Sequence, residues 1–157
     1  MNAVTTKPTP AARLEQYLYD NIPLVQHMQI QVTSYDEHAL VLSAPLAANI
    51  NHTMTAFGGS IAALATLACW GVLWLMLEPE PDLHIVVHES HLRYLRPVTD
   101  TLVARCLLPD SNSQQRFREN LQRRGKARLE LRAQLIQDDT VCTEFTGTFV
   151  AFRDTHG

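Results

Sequence analysis

The chain has 157 residues, which suits one domain and leaves little room for a second. Apolar residues make up 46% of it and charged residues 18%, so a packed core is affordable and a disordered chain is excluded. A net charge of −3 disfavours a bulk nucleic-acid binder, and Cys69, Cys106 and Cys142 form no CxxC pair, which points to a reducing, cytoplasmic setting.

Residues 1–12 read as a flexible tail and residues 13–157 as a single folded unit. The N-terminus lacks the apolar stretch of a secretory signal. From Ala11 to Asn21 the spacing of Leu14, Tyr17, Leu18 and Ile22 predicts a short helix, stopped by Pro23. Gln29 to Thr33 and Ala39 to Ala44 read as two strands joined by a turn at residues 34–38. Ala47 to Phe57 is irregular. Gly58-Gly59-Ser60 then opens a long helix to about Leu77, ended by Glu78-Pro79-Glu80-Pro81.

Ile61 to Leu77 is apolar except for Thr66 and Gly71, which is near the ~17-residue lower limit for a membrane span. The strand-like segments that follow favour a helix enclosed by a sheet instead. From Leu83 the chain reads as a strand. Simple alternation puts His84, Val86, His88, Ser90, Leu92 and Tyr94 on one face. Pro97 breaks it, and Thr101 to Leu108 reads as another strand. Ser113 to Arg124 is polar, either a short helix or an ordered loop. Ala127, Leu129, Leu131, Ala133 and Leu135 alternate with polar residues, the cleanest strand pattern in the chain. Asp138-Asp139 is a hairpin turn, and Val141 to Phe152 is the last strand. One apolar helix and a mainly antiparallel sheet imply an α+β fold with the sheet curled around the helix. Its edge strand invites pairing between subunits.

The segment Asn51-His52-Thr53-Met54-Thr55-Ala56-Phe57-Gly58-Gly59-Ser60 is the strongest candidate for chemistry. Paired glycines at a helix start permit close approach to the backbone, whose free N–H groups suit an oxyanion or a phosphate. The same glycines would also serve a tight loop-to-helix junction with no ligand. Ser60 either caps or lines the helix start. His52 is either a substrate contact or a plain loop histidine.

Asn51, five intervening residues and Phe57-Gly58-Gly59 resemble the motif of hotdog-fold acyl-thioester enzymes. His91-Leu92-Arg93-Tyr94-Leu95-Arg96-Pro97-Val98 is similar to a second motif of that family. The resemblance is closer to the YiiD C-terminal-domain group, through Asn51–Trp70 and Phe117–Leu131, and spans roughly Leu14 to Phe152. It implies a hotdog fold, at least a dimer (or a dimer of dimers), and an acyl thioester as substrate. No cofactor is implied, because CoA or phosphopantetheine enters as part of the substrate.

Many hotdog thioesterases carry an acid on the central helix seven residues after the second glycine. Here that position is Thr66, and the helix holds no acid before Glu78. A threonine hydroxyl is a poor base at neutral pH. Decarboxylation of a malonyl thioester needs donors for an enolate oxygen and no base, and part of the YiiD group is associated with that activity on malonyl-acyl carrier protein, which supports fatty acid synthesis. The expected roles are therefore Asn51 polarising the carbonyl, Gly58 and Gly59 completing the donor set, and Phe57 against the substrate. The alternative is thioester hydrolysis, with Thr66 or Ser60 positioning water. A third is a non-catalytic acyl-CoA binder.

From Ser113 to Arg132 seven basic residues stand against two acids, a local +5 in a chain of −3. Arg123, Arg124 and Lys126 are the expected contacts for an acidic carrier protein or for CoA phosphates. A solvated charged face is the plain alternative. RNA fits worse, since only Phe117 supplies an aromatic there. No metal site is expected: His88-Glu89-Ser90-His91 lacks the HExxH spacing. Trp70 and Trp74, four apart, read as core, with an acyl pocket the lesser option.

Overall fold

The computed structural model describes Val4, residues 6–78 and residues 81–154. Helix α1 (Pro10–Asn21) starts at Thr9, whose hydroxyl accepts from the Ala12 N–H at 3.1 Å. Its Leu14 and Leu18 are fully buried. Pro23 ends α1 but also opens a second helix, α2 (Pro23–Met28), which the sequence pattern did not suggest. Proline is at home in a first helical turn, where its missing N–H costs nothing. Gln29 closes α2 with φ 57°, so strand β1 (Gln31–Tyr35) begins two residues later than expected. It pairs antiparallel with β2 (Ala39–Ala44) across a turn held by Asp36. The Asp36 carboxylate accepts from the backbone N–H groups of His38 and Ala39 at 2.7 and 2.9 Å, which holds it below the usual carboxylate range.

Helix α3 (Gly58–Leu77) is apolar on all sides and buries ten of its 20 residues. It is long and apolar enough to cross a membrane, yet it packs on five strands, so its hydrophobicity is spent on the core. Those strands are β2 and the four that follow the helix: β3 (Leu83–Tyr94), β4 (Leu102–Leu107), β5 (Lys126–Gln137) and β6 (Thr140–Arg153). The sheet order is β1-β2-β4-β5-β6-β3, with every pairing antiparallel. Asp138 and Asp139, with φ 49° and 59°, make the two-residue β5–β6 turn, as a type I′ hairpin requires.

The polar stretch between β4 and β5 is a helix, α4 (Ser111–Arg124). Asp110 caps it, accepting from the Ser113 N–H at 2.8 Å, and Gly125 ends it at φ 68°. Only Phe117 and Leu121, four apart, anchor it to the core.

Strand β3 is an edge, and it departs from simple alternation. A bulge between Val87 and Glu89 leaves His88 unpaired, because Val87 faces Phe149 and Glu89 faces Thr148. Partners across an antiparallel ladder share a face. Leu83, Ile85 and Val87 therefore lie on the inner face, and past the bulge Ser90, Leu92 and Tyr94 join them. His84 and Val86 face outward, so the single face expected for His84 through Tyr94 does not exist.

Candidate active site

The segment before α3 is a closed turn built around one side chain. Ile50 and Ala56 bridge, the Asn51 N–H donates to the Thr55 carbonyl at 2.8 Å, and Met54 sits at φ 65°. The Asn51 Oδ1 accepts from the Thr53 N–H at 2.9 Å, the Thr53 hydroxyl at 2.9 Å and the Thr55 N–H at 3.1 Å. Its Nδ2 donates to the Thr55 hydroxyl at 2.9 Å and, at a long 3.4 Å, to the Ala56 carbonyl. Asn51 thus holds the turn with its oxygen and keeps one weakly committed N–H.

The start of α3 has no side-chain cap. Phe57 stands at the N-cap, and the first backbone bond into the helix is from the Ile61 N–H to the Phe57 carbonyl at 3.0 Å. The N–H groups of Gly58, Gly59 and Ser60 are left at the positive end of a 20-residue helix. The Phe57 ring, 56% exposed, folds over Gly59, where a Cβ would stand 2.4 Å from it. Glycine is needed there for that close approach.

The two separated sequence motifs meet at this turn. The Ala56 N–H donates to the Val98 carbonyl at 2.8 Å, and the Tyr94 hydroxyl donates to the Gly58 carbonyl at 3.1 Å. Tyr94 is a site neighbour that sequence reasoning left as a strand residue, although it lies within the second motif. Asn49 was also missed. It is buried, its Nδ2 donates to the Met28 and Pro45 carbonyls, and its own carbonyl accepts from the Phe57 N–H at 2.7 Å. No pattern in a single sequence marks it.

Thr66 lies seven residues beyond Gly59, about two helical turns or ~10 Å along the same stripe. Its hydroxyl donates to the Ala62 carbonyl at 2.7 Å, leaving only its lone pairs for a neighbour. Between them the stripe shows Ala62 and Ala63, half-buried and small. No Asp or Glu stands on α3, and Glu78 just beyond its end pairs with Arg13. His52 is exposed on the turn, and no interaction holds it among the described residues.

Arg123, Arg124 and Lys126 lie elsewhere. They sit at the junction of α4 and β5, where Lys126 pairs with Phe152 and Phe152 with His84. Tyr94, beside Gly58, is ten residues up β3 from His84, or about 30 Å at ~3.3 Å per residue. Within one chain the basic cluster and the Asn51 turn are at opposite ends of the sheet. Trp70 and Trp74 pack against the core from its rim: the Trp70 indole donates to the Ile85 carbonyl at 2.9 Å, and Tyr17 lies 5.9 and 5.2 Å from the two rings.

A helix wrapped by a curved antiparallel sheet, with a glycine turn at its head, is the hotdog architecture. Residues 11–153 match a family described as "Putative thioesterase (yiiD_Cterm)", and the chain belongs to that family. A protein of unknown function from Chlorobaculum tepidum TLS is 34% identical, with 92% of this chain and 94% of that one covered and a TM-score of 0.86. A Shewanella oneidensis protein described as a putative thioesterase is 37% identical over 91% and 97% of the two chains, at a TM-score of 0.78. A thioesterase from Haemophilus influenzae shares the fold at 16% identity, covering 96% and 97%, with a TM-score of 0.71. Acyl-thioester chemistry is the class that this family and fold define.

Proposed function

We propose that the chain decarboxylates malonyl thioesters, with malonyl-acyl carrier protein as the preferred form and malonyl-CoA as the alternative. One observation carries the reading: hydrogen-bond donors gather at the Asn51–Ser60 turn, while the helix stripe from Gly59 to Thr66 offers no carboxylate. Cleavage of the bond between the carboxylate carbon and the α-carbon releases CO2. Its electron pair passes to the thioester oxygen as an enolate, and a proton from water at the α-carbon gives the acetyl thioester. The enolate oxygen is stabilised by the Gly59 and Ser60 N–H groups and by the Asn51 N–H that is only weakly held by the Ala56 carbonyl, and the helix dipole adds to them. No step needs a base.

Hydrolysis is the second reading. Membership of a thioesterase family favours it, and so do the Thr66 lone pairs, which could position a water. Mass spectrometry of malonyl-acyl carrier protein after incubation separates the two. Acetyl-carrier protein is the expected product; free carrier thiol with malonate would overturn decarboxylation in favour of hydrolysis. Intact, bound thioester would favour a non-catalytic binder.

The working unit is a homodimer in the cytoplasm, formed by pairing two β3 edges. Support comes from the unpaired edge itself and from the exposed apolar side chains near its middle, Val86 and Val87, each 45% exposed, and at its far end, Tyr94 and Leu95.

A further inference from the structure

The sheet is split between two neighbouring strands. Strand β5 pairs with β6 along its whole length, from Lys126 to Gln137, but with β4 only through Ala133, Gln134 and Leu135. Beyond Leu107 the chain leaves the ladder at Pro109, and α4 carries it back to the start of β5. A helix bonds its own backbone groups and offers a strand none. The Arg153 N–H donates to the Gly125 carbonyl at 2.9 Å, so the carbonyl of residue 125 faces β6. Backbone groups alternate sides along an antiparallel strand. Ala127, Leu129 and Leu131 therefore turn theirs to β6, while Arg128, Glu130 and Arg132 turn theirs to the split. Among the described residues no strand meets Arg128 or Glu130 there.

The split is also shaped and charged. A cavity of about 320 Å³ sits at its head, with Leu107 and Pro109 on one side and Glu130, Leu131 and Arg132 on the other. Leu107 is 57% exposed, an apolar side chain left open to solvent. On the outer face Arg105, Arg128 and Arg132 stand exposed against a single acid, Glu130, which Arg132 already engages at 3.3 Å. These charges choose the occupant. A second copy of β5 laid antiparallel about Glu130 would set Arg128 against the copy's Arg132 and the two Glu130 side chains against each other. Like charges directly opposite destabilise a strand pair. A segment with acids at its outward positions is matched instead.

We propose that the split is a docking site for an extended acidic segment of a partner protein, which adds to β5 as an antiparallel strand between Arg128 and Arg132. Main-chain bonds to Arg128, Glu130 and Arg132 supply the affinity, and side chains supply the choice. Acidic residues lie across from Arg128 and Arg132, and a neutral one lies across from Glu130. The residues between them point inward, to the side of Leu131, and are apolar. The proposal does not rest on the reaction assigned to the Asn51 turn.

The probe is the peptide acetyl-Glu-Val-Thr-Val-Glu-amide, titrated into the isotope-labelled full chain and followed by NMR. Saturable shifts of the Glu130 and Arg132 amides are expected. Hydrogen exchange at those two should slow about tenfold or more at saturation, while Leu129 and Leu131, already turned to β6, keep their rates. N-methylation of the peptide's Thr, whose N–H meets β5, should weaken binding about tenfold, the effect of a lost pair of main-chain bonds. N-methylation of either Val, whose N–H points away, should leave binding intact. Equal losses at Thr and Val overturn strand addition. The double variant Arg128→Glu with Arg132→Glu, both at exposed positions, should lose the acidic peptide and gain acetyl-Lys-Val-Thr-Val-Lys-amide. Unchanged binding of the acidic peptide by that variant overturns the site. No saturable binding by the wild type at millimolar peptide overturns the proposal outright. So does a wild-type assembly, followed by light scattering, that this variant breaks up in the absence of peptide, because the split then belongs to a second copy.

Discussion

Asn51 does two jobs with the two ends of one amide, and the substitutions that separate them differ. Asn51→Ala removes both. It deletes three bonds to Oδ1, so a stability loss of about 3 kcal/mol is expected at roughly 1 kcal/mol per net hydrogen bond. Lost activity would then be hard to assign. Asn51→Asp keeps the acceptor, and the Thr55 hydroxyl can turn to donate to the new oxygen. Near-native thermal stability with a kcat about 10²–10³ lower is expected, the usual effect of one lost oxyanion donor. Wild-type turnover in Asn51→Asp would sink the donor role. Thr66 is tested by the opposite manoeuvre. Thr66→Asp supplies the carboxylate that the stripe lacks, and it should raise the proportion of free thiol over acetyl thioester. A product ratio unmoved by that change would show that the absent base is not what selects the reaction.

At the scale of the element, α3 couples core packing to the site it presents. Gly71 lets the helix approach its neighbours: a Cβ there would stand 2.8 Å from Leu40 Cδ2 and 3.0 Å from Leu14 Cδ2, both fully buried. Gly71→Ala gains about 1 kcal/mol of helix propensity and loses about 1–3 kcal/mol to overpacking. A net loss near 1 kcal/mol is expected, read as a Tm drop of roughly 2–4 °C. The thiols report the same enclosure. Burial, aided by the neighbouring Cys106 thiol, pushes the Cys69 thiol well above its ordinary range, and all three cysteines are buried. Ellman's reagent should therefore find no reactive thiol in the native protein at pH 8 and three after unfolding; a fast native reaction would mean that the core around α3 opens readily. These elements differ in how visible they were in the sequence. The long helix, the hairpin at Asp138-Asp139 and the alternation of β5 were legible because each follows from a period or a turn residue. Helix α2 was hidden because Pro23 serves equally as a stop and a start. The β3 bulge was hidden because nothing local distinguishes His88 from its neighbours; the extra residue is defined only by its partners on β6. The turn residues of the site were legible as a motif, but the dual use of Asn51 and the place of Tyr94 depend on contacts that no spacing encodes.

The whole molecule shows one end of its sheet closed and the other open. On the β1 side, α1 lies over the strand, and Glu15 of α1 accepts from the Val32 N–H at 2.8 Å. On the β3 side a 12-residue strand presents its free edge with Val86 and Val87 half-exposed at its middle. A free edge is a template for a second copy, and here Val86 and Val87 leave an apolar stretch on it ahead of the bulge and the charged Glu89 and Arg93. Inner-face residues of β3 point their backbone groups away from β6, since ladder direction and side-chain direction alternate together. Ile85 has its carbonyl taken by the Trp70 indole, so pairing with a second copy falls on Val87, Ser90 and Leu92 around the bulge. Val87→Lys places a charge at the middle of that seam without touching the Asn51 turn. Light scattering should give twice the 17.7 kDa chain mass for the wild type and a shift toward 17.7 kDa on dilution of Val87→Lys. Turnover should fall with the dimer fraction if the proposed homodimer is the working unit. A Val87→Lys protein that is monomeric and fully active would show that one chain is sufficient, and that the open edge serves something other than the reaction.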